Sequence, residues 1–132
     1  MKFDIGIMKL AGALASHSYQ RQGVIAENVA NADTPGFRAK DLQSFAELHG
    51  AQSSGPSQMK ATREGHMGFT SGSMRYEAEE VAAFGAESPN GNTVSLEDQM
   101  TRGAEVQHTH EMALGVYSKS LSIIRLGLGR RG

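Results

Sequence analysis

The feature that most limits this chain lies in its C-terminal segment, residues 93–132. Leu96, Met100, Gly103, Gln107, His110, Leu114, Tyr117, Leu121, Ile124 and Leu128 step four, three, four, three without a break. A spacing that averages 3.5 residues is a heptad seam along one side of a helix. The pattern predicts a helix from about Val94 to Gly129, roughly 50 Å long. Ser95 followed by Asp98 resembles a helix-start box, with Asp in place of the usual Glu. Glu97 and Asp98 suit the positive end of the helix dipole, and Arg130-Arg131 the negative end.

A second helix is expected at the other end of the chain, from about Ile5 to Ala32. Met8, Ala11, Ala15, Ser18, Ile25, Val29 and Ala32 trace one side of it, with one beat lost at Gln22. Ile7, Leu10, Leu14 and Val24 add a neighbouring row. Thr34 precedes a proline and is pushed out of helical geometry. Pro35-Gly36 then suits a type II turn, where Pro sets φ and Gly supplies the positive φ.

Residues 37–92 read as an irregular middle. The stretch 50–92 holds seven glycines and two prolines, and Gly50 to Ser57 has linker composition. Phe69 to Tyr76 can form a short β-hairpin around Ser71-Gly72-Ser73, and Tyr76 to Phe84 a helical turn. The expected organisation is therefore residues 1–36 as helix and turn, 37–92 as irregular middle and 93–132 as coiled-coil helix, together one assembly domain. The fold class is mainly α, with the terminal helices pairing as an antiparallel coiled-coil hairpin.

Two paired helices cover only one side of each other. Ile7, Leu10, Leu14, Val24, Val106, Met112, Val116 and Ile123 lie off the two seams and need other partners, which marks association surfaces. The composition agrees. Only 39% of residues are hydrophobic, Trp is absent, and the eight aromatics are few for a self-sufficient core. Gly12, Gly23, Gly103, Gly115 and Gly127 each cost a helix interior about 1 kcal/mol relative to Ala. They suit close backbone approach or helices completed on assembly. The plainer alternative is a small self-contained helical bundle with an insertion.

Other functions find little support. A net charge of -1 leaves no basic footprint for nucleic acid. With no cysteine, disulfides, thiolate metal sites and cysteine catalysis are excluded. The N-terminus superficially resembles a signal peptide, but Asp4 and Lys9 interrupt its apolar run and the helical pattern continues beyond it, so mature sequence is expected. No stretch reaches the length of a membrane span. His108 and His110 are two apart, so they diverge on a helix and serve a shared metal poorly. His110 is expected to be a packed, hydrogen-bonded seam residue. Glu77, Glu79 and Glu80 form a short acidic run of solvated character. No catalytic, cofactor or metal site is expected, and the chain reads as a non-enzyme.

Residues 21–45 are more specific. Arg21-Gln22, the run from Ala26 through Asn28, Val29, Ala30, Asn31, Thr34, Pro35 and Gly36 to Phe37, and Arg38-Ala39-Lys40-Asp41 resemble the signature of flagellar axial proteins, the family of rod, hook and hook-associated subunits. The pattern Asn-(apolar)-Ala-Asn-x-x-Thr-Pro-Gly-(aromatic) is matched at every position from Asn28 to Phe37. Lys40-Asp41 to Phe45, Thr62 with His66, Asn90 to Glu97, Met100 and Lys119 to Gly132 fit a proximal-rod member better than its relatives. His110 stands where a tyrosine is expected, and Gln99 where an acid is usual.

The resemblance implies a structural subunit of the proximal flagellar rod, located in the basal body, exported without a cleaved signal by the flagellar type III apparatus. It implies assembly into a helical tube that transmits torque. Partners would be copies of itself, other rod proteins, the export apparatus and the junction at the rod base. It also implies that Asn28, Asn31 and the Thr34-Pro35-Gly36 turn set helix register at interfaces, with Phe37 as an anchor. The C-terminal seam of Leu96, Met100, His110, Leu114, Tyr117, Leu121, Ile124 and Leu128 would be an assembly element. A secreted hairpin adaptor, or another rod protein of the family, is the competing expectation.

Overall fold

The structure, a computed structural model, describes residues 2–53, 76–83 and 85–129. Five elements follow in order: α1 (Lys2–Ala30), β1 (Lys40–Leu42), α2 (Phe45–Ser53), β2 (Ala78–Glu80) and α3 (Leu96–Gly129). Both long helices appear where the apolar spacing places them. α1 begins earlier than expected, and α3 begins two residues later than Val94. Ser95 caps α3 through its hydroxyl, which accepts from the Asp98 amide at 3.4 Å.

The helix ends have local causes. After Ala30 the chain tightens, with the Thr34 amide bonded to the Asn31 carbonyl at 3.0 Å. Pro35 then forbids continuation. The Phe37 amide closes the turn onto the Thr34 carbonyl at 3.2 Å, and Gly36 has φ of 73°. This is the expected type II turn. A second turn, at Ser88 to Gly91, stacks on it. The Gly36 amide donates to the Asn90 carbonyl at 3.0 Å. Gly91 (φ 81°) passes so close that a β-carbon there would lie 3.5 Å from Gly36 Cα.

α1 and α3 run in opposite directions along each other. Asn28 meets Gln99, Ile25 lies beside Gly103, and the Ala15 carbonyl meets His110. The face α3 turns to α1 differs from the expected seam. Gln99, Val106, Ala113 and Ser120 are buried. Leu96, Met100, Leu114, Tyr117 and Leu128 are exposed, Met100 by 74%. Gly103, His110, Leu121 and Ile124 are intermediate. Val106, expected off the seam, is 2% exposed. The physical reason is a polar contact: bonding Gln99 to Asn28 turns the helix by about half a residue step, about 50°, from the apolar stripe that spacing alone selects, so that Gly103 and His110 belong to both seams. Ser120 is tolerated there because its hydroxyl donates to the Val116 carbonyl at 2.9 Å. On α1, Ala11, Ser18 and Ile25 are buried as expected, but Asn28 replaces Val29, which is exposed.

The described parts of the middle hold regular structure. β1 and β2 pair antiparallel, Lys40 opposite Glu80 and Leu42 opposite Ala78. Tyr76 to Phe84 is therefore not a helical turn: its middle pairs with β1 as strand. The proposed hairpin at 69–76 lies, except for Tyr76, outside the described residues. Ser44 caps α2, accepting from the Glu47 amide at 3.3 Å, and α2 carries helix through the start of the presumed linker. The remainder of Gly50 to Ser57 lies outside the described residues.

Candidate assembly interface and the polar junction that positions it

Few large apolar side chains of the described residues are buried. Among the described residues the buried apolar groups are Ala11, Ile25, Ala39, Leu42, Val106 and Ala113. Buried polar groups are as prominent, and most gather where α1 ends and α3 begins. Asn28 is 0% exposed. Its Nδ2 donates to the Lys40 carbonyl at 2.7 Å and to Gln99 Oε1 at 2.9 Å, while its Oδ1 accepts from the Lys40 amide at 3.0 Å. One side chain thus ties α1 to the start of β1 and to α3. A buried amide with all these bonds made incurs no desolvation penalty for an orphaned group.

Asn92 performs the same task from the other side. Its Nδ2 donates to the carbonyls of Asn31 and Thr34, at 2.9 and 2.7 Å, and its Oδ1 accepts from the Val94 amide. Thr93 adds two bonds, its amide to the Phe37 carbonyl and its hydroxyl accepting from the Ala39 amide at 2.8 Å. The stretch 34–40 is thereby stitched to the run leading into α3.

Asp41 sits between two guanidinium groups. Arg21 of α1 makes a paired contact, with Nε to Oδ1 and Nη2 to Oδ2 both at 2.8 Å. Arg102 of α3 reaches Oδ2 at 2.6 Å and binds Asp98 at 2.8 Å. Burial opposes ionisation of Asp41, but the hydrogen bonds and charge of Arg21, the Leu42 amide and Arg102 outweigh it, and its pKa falls below the ordinary aspartate value. The Asp41 hydrogen bond raises the Arg21 pKa against the effect of burial. For Arg102, burial lowers the pKa, but the bonds to Asp98 and Asp41 raise it further.

The expected interface residues fall into two groups. Asn28 bonds to a neighbouring helix, but that helix is α3 of its own chain, and its amide is used up internally. Asn31 bonds locally, donating to the Glu27 carbonyl at 2.8 Å and accepting from the Thr34 hydroxyl at 3.2 Å. Thr34, Pro35 and Gly36 form the exposed turn, and Phe37 is half-buried with Lys40 Nζ 5.7 Å from its ring centre. His110 Nδ1 donates to the Ala15 carbonyl at 3.2 Å.

The second group is exposed or partly so. Leu96, Met100, Leu114 and Leu128 form an outward stripe on one flank of α3, with Tyr117 at its margin, and Met112, Val116, Ile123 and Leu126 form a second exposed row on the opposite flank. Leu121 and Ile124 are half-covered. A groove of about 380 Å³ opens on the flank of α1, between Gly6, Lys9, Leu10, Ala13, Phe45, His49 and Tyr76. Beneath it His17 is buried, its Nε2 donating to the Gln43 carbonyl at 2.8 Å and its ring edge-on to Tyr76. No helix of the described residues is long and apolar enough to cross a membrane.

Sequence reasoning missed Arg21, Asp41, Asn92, Gln99 and Arg102 as a joint unit. Single polar residues scattered over eighty positions carry no periodic signal. The dense polar run Asn90 to Ser95 just before a helix was the one available hint.

Comparison with known proteins matches the same region. The family described as "Flagella basal body rod protein" matches residues 11–38, which span most of α1 and the type II turn. The flagellar basal body rod protein FlgB of Bacillus subtilis is 35% identical over 111 residues, covering 83% of this chain and 81% of that protein. FlgB of Agrobacterium fabrum is 31% identical over 111 residues, covering 82% and 81%. The chain belongs to the FlgB family of flagellar basal body rod proteins. FlgB of Salmonella typhimurium is similar at 29% identity over 109 residues, covering 77% of this chain and 78% of that protein. These FlgB alignments span most of both chains, well beyond the Asn-Ala-Asn-Thr-Pro-Gly stretch. Within this FlgB-family chain the conspicuous signature folds back on the start of α3.

Proposed function

We propose that this chain is a structural, non-enzymatic subunit of the proximal rod of the flagellar basal body, built into a helical tube through its terminal helices and transmitting torque. The observation that carries the reading is the outward apolar stripe of α3 on a chain of this family. Leu114 and Leu128 on that stripe, and Val116, Ile123 and Leu126 on the opposite flank, remain at least 41% exposed although α3 already packs on α1. An isolated soluble chain rarely presents so much apolar surface on two flanks of one helix. Head-to-tail contacts that do not close produce helical filaments, and helices with one face spare gain their remaining partners in such an array.

In this reading the polar junction shapes each subunit, while the stripe, the turn at Thr34 to Gly36 and Phe37 meet its neighbours in coiled-coil layers. Those neighbours are copies of this chain, other rod proteins and the junction at the rod base. Export runs through the flagellar type III apparatus without a cleaved signal, and residues 1–36, 37–92 and 93–132 act as one assembly domain. The test is deletion of the gene, complemented by the full chain or by a chain lacking residues 114–132, with motility and purified basal bodies as readouts. Membrane rings without rods in both the deletion and the truncation are expected. Intact rods after deletion would favour a secreted hairpin adaptor instead.

A further inference from the structure

The α1–α3 contact is nearly self-similar along its length. Its buried residues repeat every seven positions on both helices: Ala11, Ser18 and Ile25 on α1, and Gln99, Val106, Ala113 and Ser120 on α3. Most are small. A slip of α3 by seven residues would carry Val106 opposite Asn28 and His110 into the place of Gly103 beside Ile25, and further along the buried row it would replace Val106 by Ala113 and Ala113 by Ser120, still small groups. Apolar burial therefore distinguishes poorly between the two registers. Buried polar groups that occur once along the contact distinguish them most sharply.

Those groups are the polar junction. Asn28 requires Gln99 at its level, and in the slipped register it would face Val106 with a buried amide hydrogen unpaired. Asp41 requires Arg21 and Arg102 on opposite sides at 2.8 and 2.6 Å. Asn92 requires the carbonyls of Asn31 and Thr34. Buried polar groups that fix register in a helix pair are the best-attested use of such groups. From these contacts we infer that Asn28, Asp41 and Asn92 are a register pin. They select one of two closely matched alignments of α1 and α3, and without them the helices slip by one heptad. A slip of seven residues moves the outward stripe by about 10 Å relative to the β-sheet, so subunits in the wrong register present a mismatched surface to their neighbours.

The chain has no cysteine, so engineered disulfides can read the register directly. Ile25→Cys with Gly103→Cys reports the observed alignment, since a β-carbon at Gly103 meets only Ile25 Cγ2, at 4.0 Å. Ile25→Cys with His110→Cys reports the slipped one. In the otherwise unaltered full-length chain the first pair closes on mild oxidation and the second does not. With Asn28→Ala, Asp41→Asn and Asn92→Ala added, the second pair is expected to close while helical circular dichroism is retained, the ratio of the two products shifting by about tenfold or more. The single Asn28→Ala chain gives a smaller shift in the same direction. Unchanged cross-linking would overturn the proposal, because the seam would then set register unaided. Loss of helix together with both cross-links would overturn it too, because the junction would then hold the fold rather than choose its alignment.

Discussion

Asn28 of α1 and Gln99 of α3 meet through a side-chain hydrogen bond of 2.9 Å, and both are among the largest fully buried side chains. An amide pair occupies a position where an apolar knob would ordinarily sit. Gln99→Leu leaves one Asn28 hydrogen unpaired and should cost about 1–3 kcal/mol. Asn28→Ala abandons the Lys40 backbone as well and should cost more. Urea unfolding followed by circular dichroism measures both, and equal costs would mean that the Lys40 contacts contribute nothing.

The Asp41 ion pairs predict a defined pH dependence. The folded pKa of Asp41 is lowered, so its stabilisation is complete above the unfolded carboxylate value of about 3.9. It is lost progressively as pH falls from there through the lower folded value. Asp41→Asn should cost about 2 kcal/mol at pH 7, less than a fully buried pair because both guanidinium groups keep roughly a quarter of their surface exposed. The gap between the two proteins should hold from pH 7 to about pH 5 and shrink below about pH 4. A gap that stayed constant down to pH 2 would contradict the charge argument.

Gly36 holds a backbone conformation that L side chains rarely adopt, with open space around it. Gly36→Ala should therefore cost about 1 kcal/mol through backbone strain alone. Because no neighbour must move, Gly36→Ser should cost about the same. A much larger penalty for the serine chain, read from thermal unfolding, would point to crowding that the structure does not show.

The two faces of α3 predict opposite behaviours. Val106→Asp buries a charge among apolar groups and should destabilise the chain by about 3 kcal/mol or more. Leu114→Asp, on the outward stripe, should change stability by no more than about 0.5 kcal/mol and yet keep the protein out of basal bodies while export continues. Melting of the purified variants and immunoblotting of isolated basal bodies separate the cases. Recovery of Leu114→Asp in intact rods would remove the stripe from the interface.

His110→Tyr loses the hydrogen bond to the Ala15 carbonyl but keeps a ring on a half-exposed part of the seam. Since one part-exposed hydrogen bond contributes about 1 kcal/mol, motility should survive this change. Complete loss of swimming in a complemented strain would assign His110 a role beyond packing.

Much of this protein is local and therefore legible in the chain itself. The 3.5-residue spacing determines that α3 is a helix, Thr34-Pro35-Gly36-Phe37 determines where α1 stops and which turn follows, and Asn28 to Phe37 carries the family resemblance. Each of these depends on neighbours within one or two turns. The choice of face on α3 does not. Met100, Leu114 and Leu121 form as regular a heptad row as Gln99, Val106, Ala113 and Ser120, and the two rows share Gly103, His110, Tyr117 and Ile124. Hydrophobicity favours the first row, but the structure selects the second. That decision rests on Asn28 finding Gln99, 71 positions away, and on one carboxylate, Asp41, between arginines from two helices. The strand pair is of the same kind, since Lys40 and Glu80 meet only across the fold. A polar group must find its partner when buried, and no periodic signal in the chain says which partner that will be; only the packed tertiary structure decides it.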